Sequence, residues 1–125
     1  MGNGLGPIAS TADYEERVTN SNGPTVVEFY ESCAHTKALT PWVNHLCGKY
    51  FEIVEFYEVD MRDESMRDLV TRHGILDTPT FLIYDGKGVR RVKVNIGSNF
   101  SRLETAVDAM ARLEHGPGSG IGLFE

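Results

Sequence analysis

The stretch that decides the fold covers residues 25–41 and reads TVVEFYESCAHTKALTP. Its first six residues, as far as Tyr30, are mostly β-branched, aromatic or aliphatic, which predicts a buried strand. From there apolar residues recur at three- and four-residue spacing, which predicts an amphipathic helix over 34–50 that is kinked by Pro41. Cys33 stands at the junction of the two elements, so a thiol is expected where a strand ends and a helix begins.

Strand-like and helix-like patterns alternate on either side of this stretch. Ser10 or Thr11 can cap a first helix, the order of elements is completed by a short strand near Ile8, and glycine turns separate the later elements. The predicted elements are a strand near Ile8, a helix from Ser10 or Thr11 to Val18, a strand over 51–60, a helix over 63–74, two strands joined by a hairpin at Asp85-Gly86, and a helix over 100–113. This order predicts an α/β fold with a central mixed β-sheet flanked by helices on both faces.

The chain has 125 residues and 41% apolar content, enough for one domain with its own core. We place that domain at residues 8–113. Residues 1–7 and 114–125 are rich in glycine and are expected to form flexible tails.

Composition excludes several classes of partner. A formal charge of −6 opposes binding to nucleic acid, and no apolar run reaches the roughly 20 residues of a membrane helix. The start of the chain has no basic and apolar leader, and two cysteines are too few for a disulfide scaffold. A cytoplasmic monomer with free thiols is therefore expected.

Several landmarks together resemble the thioredoxin family. The strand TVVEFY followed by SCAHTKALTP is similar to the family's strand, Cys-Gly-Pro-Cys motif and helix, and Cys33 and Pro41 have the family's spacing. HGILDTPTFLIYDGKG, residues 73–88, is similar to the family's run around a cis proline, and Gly97 matches a glycine after the last strand. The resemblance implies the thioredoxin fold over residues 8–113.

The resemblance also implies roles for individual residues. Cys33 would be the nucleophile, whereas Thr36 stands where the second, resolving cysteine belongs. Pro79 would be the cis proline that faces Cys33 and, with Thr78 before it, guides the substrate. Ser32 replaces the tryptophan that usually precedes the cysteine.

Two further positions concern proton transfer. Glu28 falls at the family's buried acid, which assists proton transfer, and Phe56 falls where bacterial thioredoxins place that acid's lysine partner. His35 occupies the position at which disulfide isomerases carry a histidine that stabilises the thiolate.

Physical arguments support a reactive Cys33 but leave alternatives open. A thiol at a helix N-terminus meets unpaired N–H groups and the positive end of the helix dipole, which favour the thiolate. Against this, Cys33 is interpretable as an inert buried thiol, His35 as a plain surface residue, and Thr36 either as a hydrogen-bond donor to the sulfur or as an ordinary residue of the first helical turn.

Cys47 cannot replace the missing cysteine, because fourteen helical residues separate it from Cys33 by about 21 Å. We interpret it as a packed thiol.

A lone thiol predicts monothiol chemistry in which an outside thiol releases the mixed disulfide. We therefore expect thiol-disulfide exchange, deglutathionylation or disulfide isomerisation on protein or glutathione disulfides. No metal or cofactor is expected, and glutathione would act only as a co-substrate. The alternatives are an inactive binding module that holds a protein partner on the surface around Pro79, and a dimer linked through Cys33.

Overall fold

The computed structural model describes residues 5–21, 23–31, 34–85, 90–95 and 100–115. Within these ranges, five strands and four helices follow one another in the predicted order. The strands are β1 (Gly6–Pro7), β2 (Thr25–Tyr30), β3 (Glu55–Asp60), β4 (Thr80–Tyr84) and β5 (Arg90–Asn95). The helices are α1 (Thr11–Tyr14, continued by a π-helical turn, Glu15–Thr19), α2 (Ala34–Lys49), α3 (Arg67–Arg72, preceded by a 3-10 turn, Glu64–Met66) and α4 (Phe100–His115).

The strands form one mixed sheet with the order β1-β3-β2-β4-β5. β3 runs parallel to both β1 and β2, whereas β4 is antiparallel to β2 and β5 is antiparallel to β4. Since β2 lies at the centre of the sheet, its side chains on both faces of the sheet are buried from Thr25 to Phe29. The expected α/β fold with a mixed sheet is confirmed.

Each face of the sheet carries its own core. On one face, α2 and α4 cover the sheet through Val43, Leu46, Leu103 and Val107. On the other face, α1 and α3 cover it through Tyr14 and Leu69 and their apolar neighbours. Alternate residues of β2 point to opposite faces, so Val26 belongs to the first core and Val27 to the second.

Two strand boundaries differ from those we predicted. β1 consists of Gly6 and Pro7, which pair with Tyr57 and Glu58, so these two residues belong to the sheet although we placed them in a tail. β3 begins at Glu55 rather than at residue 51. The four residues before it form a turn in which Glu52 has a φ of 69°, a left-handed conformation outside the region that regular strand residues adopt.

Candidate functional site

The junction between β2 and α2 lies at the carboxyl end of the central strand. β2 ends at Tyr30, and α2 begins at Ala34, the residue that directly follows Cys33 in the sequence. Ser32 and Cys33 lie outside the described residues. His35 and Thr36 belong to the first turn of α2 by their backbone, and their side chains lie outside the described part of the structure.

The Thr78–Pro79 segment lies at the same end of the strands as this junction. The peptide bond between these residues is cis, and β4 starts immediately after it. Thr80, the first residue of β4, pairs with Phe29 near the end of β2. Since β4 is antiparallel to β2, the start of β4 and the end of β2 coincide, and Thr78–Pro79 is thereby brought to the end of the strand that leads to Cys33.

The loop before Pro79 is held by a buried side chain and a hydrogen bond, and it exposes one residue to solvent. Ile75 is buried in the core, and the Thr80 hydroxyl donates a hydrogen bond of 2.6 Å to the Asp77 carbonyl oxygen. Between them, Leu76 has 90% of its surface exposed, the largest exposed fraction among the described large hydrophobic residues. The sequence pattern gave us no reason to predict that this leucine faces solvent.

Glu28 is the buried acid that the resemblance implies. It lies on β2 two residues before the strand ends, and only 5% of its surface is exposed. Burial raises its pKa to about 7, and the nearby charge of Glu58 adds to that increase. The carboxyl group of Glu28 therefore keeps its proton to a higher pH than an exposed glutamate does.

The strand register shows which residues of β3 lie next to Glu28. Phe56 pairs with Val26 and lies in the apolar core, whereas the residue that pairs with Glu28 is Glu58. Glu28 therefore has a second acid, Glu58, as its direct partner on β3, and Phe56 lies two residues earlier on the same strand. The alternation of EFYEVD already places Phe56 and Glu58 on one face, but the register that brings Glu58 to Glu28 cannot be read from one strand alone.

Cys47 lies on α2 in the core between the helix and the sheet, with 8% of its surface exposed. Burial raises the pKa of its thiol to about 12, with a smaller contribution from the charge of Glu28. Because the thiolate is the reactive form, burial disfavours reaction of this thiol in the folded protein. Our interpretation of Cys47 as a packed residue is confirmed.

The described residues offer no assembled metal site, since they contain no group of three or more His, Cys, Asp and Glu side chains close enough to hold an ion. His73, at the end of α3, instead lies among aromatic rings, with ring centres 5.5 Å from Tyr14 and 6.1 Å from Phe29. Within the same ranges, no helix combines the length and apolar character that crossing a bilayer requires.

Solved structures of known thioredoxins have the same fold as this chain. Malassezia sympodialis thioredoxin superposes with a TM-score of 0.75 at 23% identity over 86% of this chain and 90% of that one. The long form of spinach chloroplast thioredoxin f superposes with a TM-score of 0.74 at 25% identity over 88% of each chain.

A curated thioredoxin from Borreliella burgdorferi is 32% identical over 72 residues, which are 57% of this chain and 60% of that protein. The match thus spans less than two thirds of that relative. The family model of thioredoxin, in contrast, matches residues 7–109, most of the chain. This protein belongs to the thioredoxin family.

Proposed function

We propose that this protein carries out thiol-disulfide exchange through one cysteine, Cys33, with protein or glutathione disulfides as substrates. The observation that carries the proposal is the start of α2 at Ala34, directly after Cys33. A helix of 16 residues has unpaired N–H groups and a partial positive charge at its N-terminus. Both favour the thiolate form of a cysteine placed there, and the thiolate is the nucleophile.

The exchange would proceed with one protein thiol. The Cys33 sulfur attacks one sulfur of the substrate disulfide, a new S–S bond forms, and the substrate S–S bond breaks. The electron pair leaves on the second substrate sulfur, which takes up a proton. An outside thiol, from glutathione or from a second protein, then attacks the mixed disulfide and restores Cys33.

The chain offers no accessible second thiol for that last step. Thr36 stands where the family carries its resolving cysteine, and Cys47 is buried with a strongly raised pKa. The proposal therefore covers deglutathionylation and disulfide isomerisation rather than net dithiol reduction. Such chemistry suits a reducing compartment such as the cytoplasm.

The remaining candidate residues have supporting roles in this proposal. His35 would stabilise the Cys33 thiolate, and the Thr36 hydroxyl would donate a hydrogen bond to its sulfur. Ser32, Thr78 and Pro79 would form the surface that receives the substrate.

The pH dependence of Cys33 alkylation tests the proposal. In a Cys47→Ser background only Cys33 reports, and Cys33→Ser serves as the blank. We expect a thiolate midpoint well below the ordinary value of about 8.5, and a higher midpoint in His35→Ala. Release of glutathione from a glutathionylated protein should then require both Cys33 and added thiol. An ordinary or raised midpoint would refute the enzymatic proposal.

One observation favours a second candidate, a binding module without catalysis. Leu76 is 90% exposed beside Thr78–Pro79, and an exposed leucine in this place provides apolar surface for a protein partner. If Cys33 does not exchange, capture of a partner on this surface is the function that the geometry supports. In that case Leu76→Ser would weaken the complex, whereas Cys33→Ser would leave it intact.

A further inference from the structure

β5 forms one edge of the sheet, because it is the last strand in the order and pairs with β4 on one side. Along an edge strand, every second residue directs its N–H and C=O groups away from the sheet. Among the described residues, no strand covers these groups of β5. They can bind an additional strand through main-chain hydrogen bonds.

An apolar groove lies beside this edge, on the face of the sheet that α2 and α4 cover. β5 contributes Val92 and Val94, which pair with the core residues Ile83 and Phe81 of that face. The α4 wall of the groove, in which most side chains are small, is formed by Ser101, Arg102, Thr105, Ala106 and Ala109. These walls leave a volume of about 320 Å³. Side chains at alternate positions of a strand added to β5 would enter it.

The other flank of α4 is already covered by α2. Lys49 donates a hydrogen bond of 3.0 Å to Glu104, and the Tyr50 hydroxyl donates one of 2.6 Å to Asp108. Since α2 lies toward the central strands, the groove is on the flank of α4 that is turned toward the free edge of β5. The groove and the edge thus form one continuous surface.

Positive charge lies along this edge, although the whole chain carries a formal charge of −6. β5 reads RRVKVN, which contains three basic residues and no acid. Lys93 pairs with Leu82 and so lies on the face opposite to the groove, where it is exposed. Its ammonium group donates hydrogen bonds to the carbonyl oxygens of His73 and Gly74, at 3.2 and 2.8 Å, and both of these partners are uncharged.

Arg102 adds a positive charge at the groove itself. Its side chain is exposed, and the two described acids of α4 form their ion pairs with Lys49 and Arg112 instead. A strand added to β5 would therefore meet a lysine on one of its faces and an arginine on the other. This arrangement favours an acidic segment.

The same charges oppose a second copy of this chain as the occupant. Pairing of β5 with β5 would bring like charges together, and like charges on neighbouring strands are destabilising. The register between β4 and β5 also shifts at Ile83 and Tyr84, and such irregularities hinder the pairing of two sheets along their edges.

The topology opposes a parallel strand supplied by this chain after α4. A connection from β5 across α4 to the free edge would lie on the same face as α2 and lead away from β4. The connection from β2 across α2 to β3 starts from a strand of the same direction but leads the opposite way across the sheet. These two connections would have opposite hands, whereas about 98% of such crossovers share one hand. The occupant is accordingly a segment of another protein.

We propose that β5 and the groove beside it bind an extended, acidic segment of a partner protein as a sixth strand of the sheet. Apolar side chains at alternate positions of the segment enter the groove, and the acidic side chains between them lie on the face of Lys93. Arg102 attracts the segment from the groove side. This surface includes neither the first turn of α2 nor Thr78–Pro79, so it is separate from the proposed redox site.

The probe is a seven-residue peptide of alternating valine and glutamate that carries fluorescein, titrated with the full chain and followed by fluorescence anisotropy. We expect saturable binding that weakens as salt is added. A peptide with lysine in place of glutamate meets like charge and should bind at least about tenfold more weakly.

Backbone methylation of the peptide tests the strand pairing. Methyl groups on the valine nitrogens remove the hydrogen-bond donors of one edge of the peptide, and methyl groups on the glutamate nitrogens remove those of the other edge. One of the two methylated peptides should lose binding at least about tenfold, and the other should retain it. Equal affinity of both methylated peptides would overturn strand addition.

Substitutions in α4 test the groove. Arg102→Gln should weaken binding about threefold, and Thr105→Glu, which adds a negative charge at an exposed position of the groove, about tenfold or more. Arg112→Gln is the matched control, because it removes the same charge from the same helix at a residue that pairs with Asp108 outside the groove. It should leave the affinity unchanged, and an equal loss in Arg112→Gln would contradict the proposal.

Backbone NMR of the full chain locates the bound peptide. We expect signal shifts concentrated in β5 and on the groove side of α4. Shifts centred on Leu76 and Thr78–Pro79, or no binding at millimolar concentrations, would overturn the proposal. Self-association of the protein that the peptide cannot disperse would identify a second copy as the occupant and would overturn it as well. None of these readouts depends on exchange at Cys33.

Discussion

The hydroxyl oxygens of Tyr14 and Tyr84 lie 2.5 Å apart in the core, although 70 residues separate them in the chain. Tyr14 ends α1 and Tyr84 ends β4, and both side chains are almost fully buried. One hydroxyl donates to the other, and the ring of Tyr14 also lies within 6.3 Å of both the Phe29 and Tyr84 rings, measured between ring centres. This contact joins the short first helix to the end of β4, an interior strand of the sheet.

Replacement of Tyr84 by phenylalanine should destabilise the protein by about 1 kcal/mol, because a buried hydrogen bond is lost while the ring is kept. Urea unfolding measures the change. Tyr57→Phe is the matched control, since its hydroxyl donates to Glu55 at an exposed position and its loss should cost less than about 0.5 kcal/mol. Equal losses in the two variants would contradict the importance of the buried contact.

Cys47 should resist modification in the folded protein. With a pKa raised to about 12 by burial, its thiolate is scarce at pH 8, and in Cys33→Ser we expect alkylation more than about a hundredfold slower than that of a free cysteine. Mass spectrometry after timed iodoacetamide treatment measures the rate. The same variant in denaturant should react at the ordinary rate, and fast labelling without denaturant would show that Cys47 is accessible after all.

Glu28 should make the protein less stable as the pH rises. Its pKa is about 7 in the folded state against an ordinary value of 4.5, so the folded state binds more protons between these values. Stability due to this group is full below about pH 4.5 and is lost as the pH rises through 7. The difference of about 2.5 units corresponds to about 3 kcal/mol.

The variant Glu28→Gln has no proton to lose and should be free of this decline. Urea unfolding at pH 5 and pH 8 should show the free energy of unfolding falling less in the variant than in the native protein. Glu16→Gln, at an exposed position beside α1, should keep the native slope. A Glu28→Gln variant with the native pH dependence would disprove the raised pKa.

Leu76 should matter for protein substrates and not for small ones. Leu76→Ser should leave stability unchanged, because the side chain is 90% exposed. If a substrate protein covers the leucine, loss of about 1 kcal/mol of apolar burial should slow exchange with it about fivefold. Exchange with a small disulfide such as hydroxyethyl disulfide should keep its rate.

The control for Leu76 is Phe51→Ser. Phe51 is 72% exposed and follows α2, at the end of the sheet opposite to Pro79. The Phe51→Ser substitution should leave the exchange rate unchanged with both the protein substrate and the small disulfide. A slower reaction of Leu76→Ser with the small disulfide would instead indicate a disturbed reaction centre.

Local patterns were sufficient to predict the order of elements and the mixed sheet. The β-branched and aromatic run TVVEFY predicted a buried strand. The spacing of Val43, Leu46 and Tyr50 predicted which side of the following helix is buried. Each of these predictions needs only one element and its own periodicity.

Contacts between elements could not be predicted in this way. The pairing of Glu58 with Glu28 depends on the register of β3 against β2, which the alternation within either strand leaves open. The start of β3 at Glu55 depends on the backbone of Glu52, a residue that gives no turn signal of its own. The exposure of Leu76 depends on the loop that leads to Pro79, where an apolar residue would ordinarily be assigned to the core.

The burial of Cys47 also limits the disulfide-linked assemblies that this protein can form. The sequence contains two cysteines, and the core encloses one of them. A chain with at most one reactive thiol can form only one intermolecular disulfide, so no further chain can be added to it. Oxidation of the folded protein can therefore produce pairs and single adducts, but never polymers held together by disulfides.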